Sequence, residues 1–311
     1  MSTFFRTGLL GTLLLSALSL LPEAACSQDT REVPLGTLPM QYNGGFAGEA
    51  GDPRINTVAG VAFNTYLGNG HAAYISYDQF IPAIRSGVGI TAGYTGSRFA
   101  GGYLGELLNV GHGPYLSLTV APKLSLRGKV TISPFLDVSV YRGWGQNVFF
   151  NGQVDVIYKV NTVRSRAGLL LNTEKFYVGY SVHLVDQFMI HPKSDTALSF
   201  STNRFEKFNS YWQLGYTFGH ATESKFSFTP QVVFRLGTPR WYVGKGRTIF
   251  HPVDFHVNFR YKKAIWGVNL TGVHAGWQTD RLRIMLSDSL EYLYREGGYA
   301  ANLALRYIFK E

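Results

Sequence analysis

Apolar and polar residues alternate with a period of two along most of the chain. Val130, Ile132, Pro134, Leu136, Val138 and Val140 interleave with Thr131, Ser133, Phe135, Asp137, Ser139 and Tyr141. Phe226, Phe228, Pro230, Val232, Phe234 and Leu236 interleave with Ser227, Thr229, Gln231, Val233 and Arg235. Val253, Phe255, Val257, Phe259 and Tyr261 interleave with Asp254, His256, Asn258, Arg260 and Lys262. Side chains of a strand point alternately to its two faces, so such rows predict strands with one apolar and one polar face. The runs reach about ten to twelve residues, longer than an ordinary strand of about 5–6 and close to the ~9–11 that a tilted membrane strand needs. Their polar rows hold Asp137, His183, Arg235, Arg260 and Arg306, which suits a wet lumen, and Tyr and Phe gather at strand ends as in the aromatic girdles of membrane barrels. The pattern predicts an all-β fold, a transmembrane antiparallel β-barrel of the outer membrane.

Strands are expected near 57–66, 72–80, 87–97, 114–123, 130–142, 164–172, 175–184, 210–219, 225–236, 252–262, 264–270, 272–278, 281–291 and 298–309. That makes about fourteen, or twelve if the very tight connection between residues 270 and 272 is no turn. Short turns fall at Ser125–Gly128, Asn172–Glu174, Gly219–Ser224 and Thr279–Asp280, and longer connections at 98–113, 143–163, 185–209 and 237–251. An even number of strands, with short turns on the periplasmic side, leaves both termini periplasmic. Tyr299, Ala301, Leu303, Leu305, Tyr307 and Phe309 share one face of the last strand, similar to the C-terminal signal by which outer-membrane barrels are recognised for assembly. The expected organisation is a signal peptide over 1–27, an N-terminal periplasmic segment over 28–56 and the barrel over 57–311.

The start of the chain supplies the export route. Arg6, the apolar stretch Leu9–Leu21 and the small residues Ala24, Ala25 and Ser27 make a three-part secretory signal, too short to span a bilayer as a helix. Cleavage after Ser27 removes Cys26, the one cysteine; lipidation of Cys26 is the alternative, although Glu23 stands where a Leu-like residue would be wanted. Either way no intramolecular disulfide can form. No apolar run of about 18 residues follows, so no transmembrane helix is expected.

Composition narrows the class further. With 35 glycines, 15% aromatic and only 16% charged residues, the sequence is no disordered chain, coiled coil or collagen-like fibre. The formal charge of +9 invites a nucleic-acid role, but the cations are scattered and form no basic run. Outer-membrane lipid, lipopolysaccharide or an acidic partner suits that scatter at least as well, and no nucleic-acid partner is expected.

Three stretches carry a family resemblance. Met40-Gln41-Tyr42-Asn43-Gly44-Gly45-Phe46-Ala47-Gly48 resembles the "QYM.N…NPAYAG" opening of the PorP/SprF family, type IX secretion system membrane proteins of Bacteroidetes. Lys175-Phe176-Tyr177-Val178-Gly179-Tyr180-Ser181-Val182 is similar to its "rFYVGlSv" strand, and Asp280-Arg281-Leu282-Arg283-Ile284 to its "ndrLRIGYSYD" segment, with Asp288 near that motif's aspartate. The chain departs from the family at Asn43-Gly44, where the motif has Asn-Pro, and at Met285-Leu286-Ser287, which replaces the aromatic "GYSY". The resemblance implies a non-enzymatic part in secretion and gliding motility. It also implies partners: periplasmic lipoprotein and ring components, or a secreted cargo protein held through its C-terminal sorting domain. A passive porin or solute channel is the alternative, against which Phe135, Tyr141 and Tyr177 argue by filling the predicted lumen.

Candidate residues fall into four groups. Asp137, Arg235, Arg260, Lys262, Arg283 and Arg306 share the predicted inner face, either as a basic lumen that draws in an acidic peptide or anion, or as ordinary hydrated lining. Asp288 falls by strict alternation on the lipid face with Leu282, Ile284 and Leu286, so a bulge turns it inward or it meets a protein neighbour. Arg240, Trp241, Lys245 and Arg247 lie in one loop, a mixture typical of binding hot spots or of contacts to lipopolysaccharide phosphate, or simply a solvated loop. Tyr42, Asn43, Phe46 and Gly48 form either a periplasmic docking strap or a plug whose glycines allow tight turns. No catalytic, metal or cofactor site is expected: His183 and His256 stand alone on inner faces, and the histidines have no ligand-like spacing.

Overall fold

The alternating rows become strands that pair with their sequence neighbours all the way round. The computed structural model describes residues 39–64, 68–98, 110–126, 130–148, 154–185, 188–190, 200–202, 210–219, 226–236, 242–243, 247–248, 253–269, 272–289 and 299–310. Its wall strands are β1 (Arg54–Asn64), β2 (Gly68–Ile81), β3 (Ser86–Arg98), β4 (Val110–Pro122), β5 (Val130–Val148), β6 (Val154–Asn172) and β7 (Phe176–Val185). There follow β8 (Ser210–Tyr216), β9 (Phe226–Leu236), β10 (Val253–Tyr261), β11 (Ala264–Asn269), β12 (Gly272–Gln278), β13 (Leu282–Ser289) and β14 (Tyr299–Ile308). After Lys123 the β4 strand resumes as Leu124–Leu126 along the same partner, β5, so the two pieces are one wall strand. Every strand is antiparallel to the next, and β14 pairs with β1 through Val58↔Ala304. The result is a closed antiparallel barrel of 14 strands, which leaves no exposed sheet edge.

The two faces of the wall are inverted relative to a water-soluble protein. On β4 and β5 Leu116, Leu118, Val120, Leu136, Val138 and Val140 are exposed outward, while Ser117, Thr119, Asp137 and Ser139 between them are buried inward. Among the described residues no helix is long and apolar enough to cross a membrane; the strands provide the apolar belt. Aromatic rings line the outer surface beside the tight turns. Phe218 stacks on Phe228 at 4.5 Å between ring centres, Phe228 on Phe259 at 6.2 Å and Phe259 on Trp266 at 5.9 Å. This is the aromatic girdle of a membrane barrel, placed where ring edges meet the lipid headgroups.

The expected strand positions largely recur, and three of the differences bear on the wall. β11 and β12 are separate antiparallel partners, with Val268 paired with Val273, so fourteen strands stand rather than twelve. The first strand starts at Arg54, so residues 54–56, expected in the N-terminal segment, belong to the wall. The connection expected over 143–163 is mostly strand, because β5 and β6 each run 19 residues and stay paired out to Val148↔Val154. At roughly 3.3 Å per residue such strands are about 60 Å long, well beyond a hydrocarbon core of ~30 Å. Ladder bonds are made by backbone, so Gly143, Gly145, Gln146 and Asn147 break the apolar alternation without breaking the pairing.

One end of the barrel carries Arg54, Ile308 and the tight connections 82–85, 173–175, 262–263 and 279–281. The strand ends Val185, Ser210, Leu236 and Val253 lie at the other end.

Candidate functional site

Inside the short-turn end, the residues just before β1 pack against the wall instead of leaving it. Pro39–Tyr42 form one helical turn and Gly44–Phe46 one 3-10 turn. Asn43 connects them. Its Oδ1 accepts from the Gly45 amide at 2.8 Å, while its Nδ2 donates to the carbonyls of Leu169 at 3.3 Å and Tyr180 at 3.4 Å on β6 and β7. Met40, Phe46 and Ala47 are buried against Ala121, Phe135 and Leu170 of the inner wall, and Phe46 meets Tyr177 edge to face at 5.4 Å. The wall leaves room by having glycines: a Cβ on Gly87 would stand 1.9 Å from the Ala47 carbonyl oxygen, and one on Gly179 2.6 Å from Asn43 Nδ2.

Three wall cations hold this segment by its backbone. Arg54 Nη2 donates to the Phe46 carbonyl at 3.0 Å, Lys123 Nζ to that of Gly45 at 2.6 Å and Arg166 Nη2 to that of Met40 at 3.3 Å. Two of the cations are neutralised in turn. Arg54 forks onto Asp78 at 2.8 and 2.9 Å, and Asp78 also accepts from the Gly48 amide at 2.8 Å. Arg166 Nε bonds Asp137 at 3.0 Å, and Asp137 accepts further from Ser117 and Thr119. A buried charge is tolerable when its remaining lone pairs and protons are met in this way. Gly48 itself sits at φ +66°, a left-handed conformation that favours glycine, at the bend that leads the chain out towards β1.

A second cluster lies at the same end, on β10 and β12 to β14 next to β1. Arg260, Arg281, Arg283, Arg306 and Lys310 line a cavity of about 460 Å³ with Asp280 as its one carboxylate. Arg283 and Arg306 are direct register partners on β13 and β14. Arg283 Nε donates to Gln278 Oε1 at 2.7 Å, Arg306 Nε to Asn56 Oδ1 at 2.8 Å and Arg260 Nε to the Lys262 carbonyl at 3.1 Å.

The structure therefore separates residues that share a sequence pattern. Asp137, Arg260, Arg283 and Arg306 face inward as expected, but Asp137 holds the plug-side arginine while the other three meet at the cavity. Lys262 is a correction: it sits exposed in the two-residue turn after β10 at φ +52°, not on the inner face, because the strand ends at Tyr261, which pairs with Ala264. Asp288 is paired with Val273 and Ala301 without a register shift, so no bulge turns it inward and it stays in the outward row with Ile284 and Leu286. Asn43, Phe46 and Gly48 belong to the internal segment, with Tyr42 in its helical turn. Arg235 holds a β9 position paired with Tyr211, and Arg247 pairs with Val243 in a small hairpin. Arg240, Trp241 and Lys245 lie outside the described residues, as do residues 1–38 with the expected signal peptide.

Arg54, Asp78, Lys123 and Arg166 were not singled out by the sequence, nor were Arg281 and Lys310. Asp78 had a visible signal: it continues the inner row Ala72, Tyr74, Ser76, and an acid in a lumen row calls for a cation in a neighbouring one. Lys123 had none, since it breaks the β4 row where the strand resumes.

A closed sheet, an apolar outer belt and an aromatic girdle define an integral outer-membrane β-barrel. Its fold is similar to the toluene transporter TbuX of Ralstonia pickettii, with 12% identity, 88% of this chain and 94% of that chain covered and a TM-score of 0.53. The toluene transporter TodX of Pseudomonas putida (10% identity, 88% and 93% covered, TM-score 0.49) and the translocator domain of the autotransporter NalP from Neisseria meningitidis (13%, 83% and 89%, 0.46) are more distant matches. At these identities the likeness is one of fold. No curated protein matches the sequence. The sequence profile of the type IX secretion system membrane protein PorP/SprF matches residues 112–286, more than half of the chain. The chain belongs to the PorP/SprF family.

Proposed function

We infer that this barrel is a scaffold or surface receptor of the type IX secretion and gliding machinery, which binds the C-terminal sorting domain of a secreted protein together with periplasmic components of the machine. The observation that carries this is the buried segment Pro39–Gly48, held on the inner wall by Arg54, Lys123 and Arg166 in a chain of a secretion family. A chain segment packed on the inner wall at one end narrows the lumen, which suits a protein that binds other proteins and weighs against the porin alternative. No chemical step is assigned to it. Export through the signal peptide over 1–27 and the short turns on the periplasmic side put both termini, and the mouth beside the internal segment, in the periplasm. Arg240, Trp241, Lys245 and Arg247 are then at the cell surface, where cargo or lipopolysaccharide phosphate is met.

Crosslinking in the native membrane, followed by purification and mass spectrometry, tests this directly. Recovery of one large secreted protein with a C-terminal sorting domain, or of type IX lipoprotein and ring components, is expected. A barrel recovered without companions, and conducting ions in planar bilayers, would return it to the porin class.

A further inference from the structure

Two lysines at the rim of the outer wall lie over lipid-facing rings. Of the tight connections at the short-turn end, 173–175 sets Lys175 beside Glu174, 279–281 sets Arg281 beside Asp280, and 82–85 holds Arg85. The connection 262–263 is two exposed lysines and no acid. Lys262 Nζ stands 5.4 Å from the centre of the Tyr261 ring, and Lys263 Nζ 5.4 Å from the centre of the Trp277 ring. Both distances are within cation–π range. Among the described residues neither ammonium meets a carboxylate. The two rings belong to one outward row: Tyr261 pairs with Ala264, and Ala264 pairs with Trp277. Adjacent strands are about 4.8 Å apart, so the rings rise from strands about 10 Å apart with the small, exposed Ala264 between them. Further into the apolar belt, Trp266, Val268 and Val273 are exposed on the same face.

We propose that this notch selects an anionic phospholipid, with Lys262 and Lys263 on either side of its phosphate and an acyl chain along Trp266, Val268 and Val273. Lysine serves phosphate as a compact point charge, and two such charges flank a gap floored by Ala264. Tyr and Trp rings sit at headgroup level, and the lysine stems lie along them with their ammonium groups at that depth. A lipid matches both parts of the surface, the cationic row and the aliphatic strip beneath it, whereas an acidic protein segment matches the first alone. The leaflet rests on the proposed function, which puts the short-turn end in the periplasm and so on the side opposite lipopolysaccharide. The pairing of two ammonium groups with outward rings does not.

The test places the full-length barrel in phosphatidylethanolamine bilayers and follows quenching of tryptophan fluorescence by brominated lipid, since Trp277 flanks the notch and Trp266 lies below it. Brominated phosphatidylglycerol should associate about tenfold more strongly than brominated phosphatidylethanolamine. The variant Lys262→Asn/Lys263→Gln should reduce that preference to about twofold. Asparagine tolerates the left-handed backbone at 262, φ +52°. Arg85→Asn/Lys175→Gln removes as many exposed cations from the same end and should leave the preference unchanged. Retention of heat-modifiable mobility verifies that each variant is a folded barrel. Equal quenching by the two lipids overturns the proposal. So does an equal loss from the two double variants, which would make the preference a diffuse field of the whole end. Displacement by lipopolysaccharide as effective as displacement by unlabelled phosphatidylglycerol overturns the choice of lipid. Labelling of Arg281→Cys by an impermeant maleimide on intact cells would overturn the leaflet together with the proposed orientation. Loss of lipid preference with machine components still recovered by crosslinking removes this site alone and leaves the proposed function standing.

Discussion

The first seven strands and the last seven arrange their inward arginines differently. Between β1 and β6, the buried arginines Arg54 and Arg166 each have a carboxylate from a neighbouring strand, Asp78 and Asp137, and each carboxylate has further donors. These pairs lie under the internal segment and bond its carbonyls. Between β10 and β14, arginine faces arginine, and the Nε bonds go to neutral oxygens. A charge withdrawn from water costs several kcal/mol unless it is paired and hydrogen-bonded, so the first arrangement fixes structure. The second gathers Arg260, Arg281, Arg283, Arg306 and Lys310 with Asp280 around one cavity, where like charges in register cost some stability.

This contrast can be broken by substitution, and the largest effect is expected at the paired side. Asp78→Ala leaves Arg54 buried without its fork and should cost about 3–5 kcal/mol, read as a fall in the temperature at which the folded band disappears on electrophoresis. A cost under about 1 kcal/mol would mean that the pair is no more structural than a surface bridge.

Phe46→Ala removes the ring packed on Tyr177 and Phe135 and should cost somewhat less, about 2–4 kcal/mol, since the segment can collapse partly into the gap. The barrel should survive while residues 39–48 become open to protease and bilayer conductance rises. An intact segment with unchanged conductance would remove its role as a plug.

Asp288→Ala takes a carboxylate off the outward face near the end of β13 and should stabilise the barrel by up to about 1 kcal/mol in lipid. Destabilisation instead would mean that Asp288 is held by a partner protein. The smallest effect belongs to the basic side. Arg283→Gln removes one of two like charges in register together with the bond to Gln278, and should cost clearly less than Arg54→Gln, about 1 kcal/mol or under. Equal losses from the two arginine substitutions would erase the difference between the halves.

The architecture was legible because a membrane barrel writes its wall into the sequence. Lipid outside and polar lumen inside force each strand to alternate, so rows such as Val130–Val140 and Val253–Tyr261 specify both the strand and its faces. The same rule put Asp288 outward by counting alone, and the paired register keeps it there. Alternation stops informing where residues leave the membrane. Gly143 to Asn147 carry no apolar row, yet the backbone ladder continues through them, and Lys262 prolongs a row that the chain has already turned away from.

What the sequence could not carry is which inward residues meet. The row of each strand states that Asp137, Arg260, Arg283 and Arg306 share a surface, but strand order around the barrel and register decide that Asp137 stands beside Arg166 and Arg283 beside Arg306. The path of Pro39–Gly48 was likewise undetermined. Its motif is too short to bury a face of its own, and it has a place only because Gly87, Gly179 and three cations, widely separated in the chain, come together on one wall. Local periodicity reports the environment of each residue, since it answers to the solvent on either side. The identity of a residue's partners depends on closure of the whole sheet, and only the tertiary structure contains that.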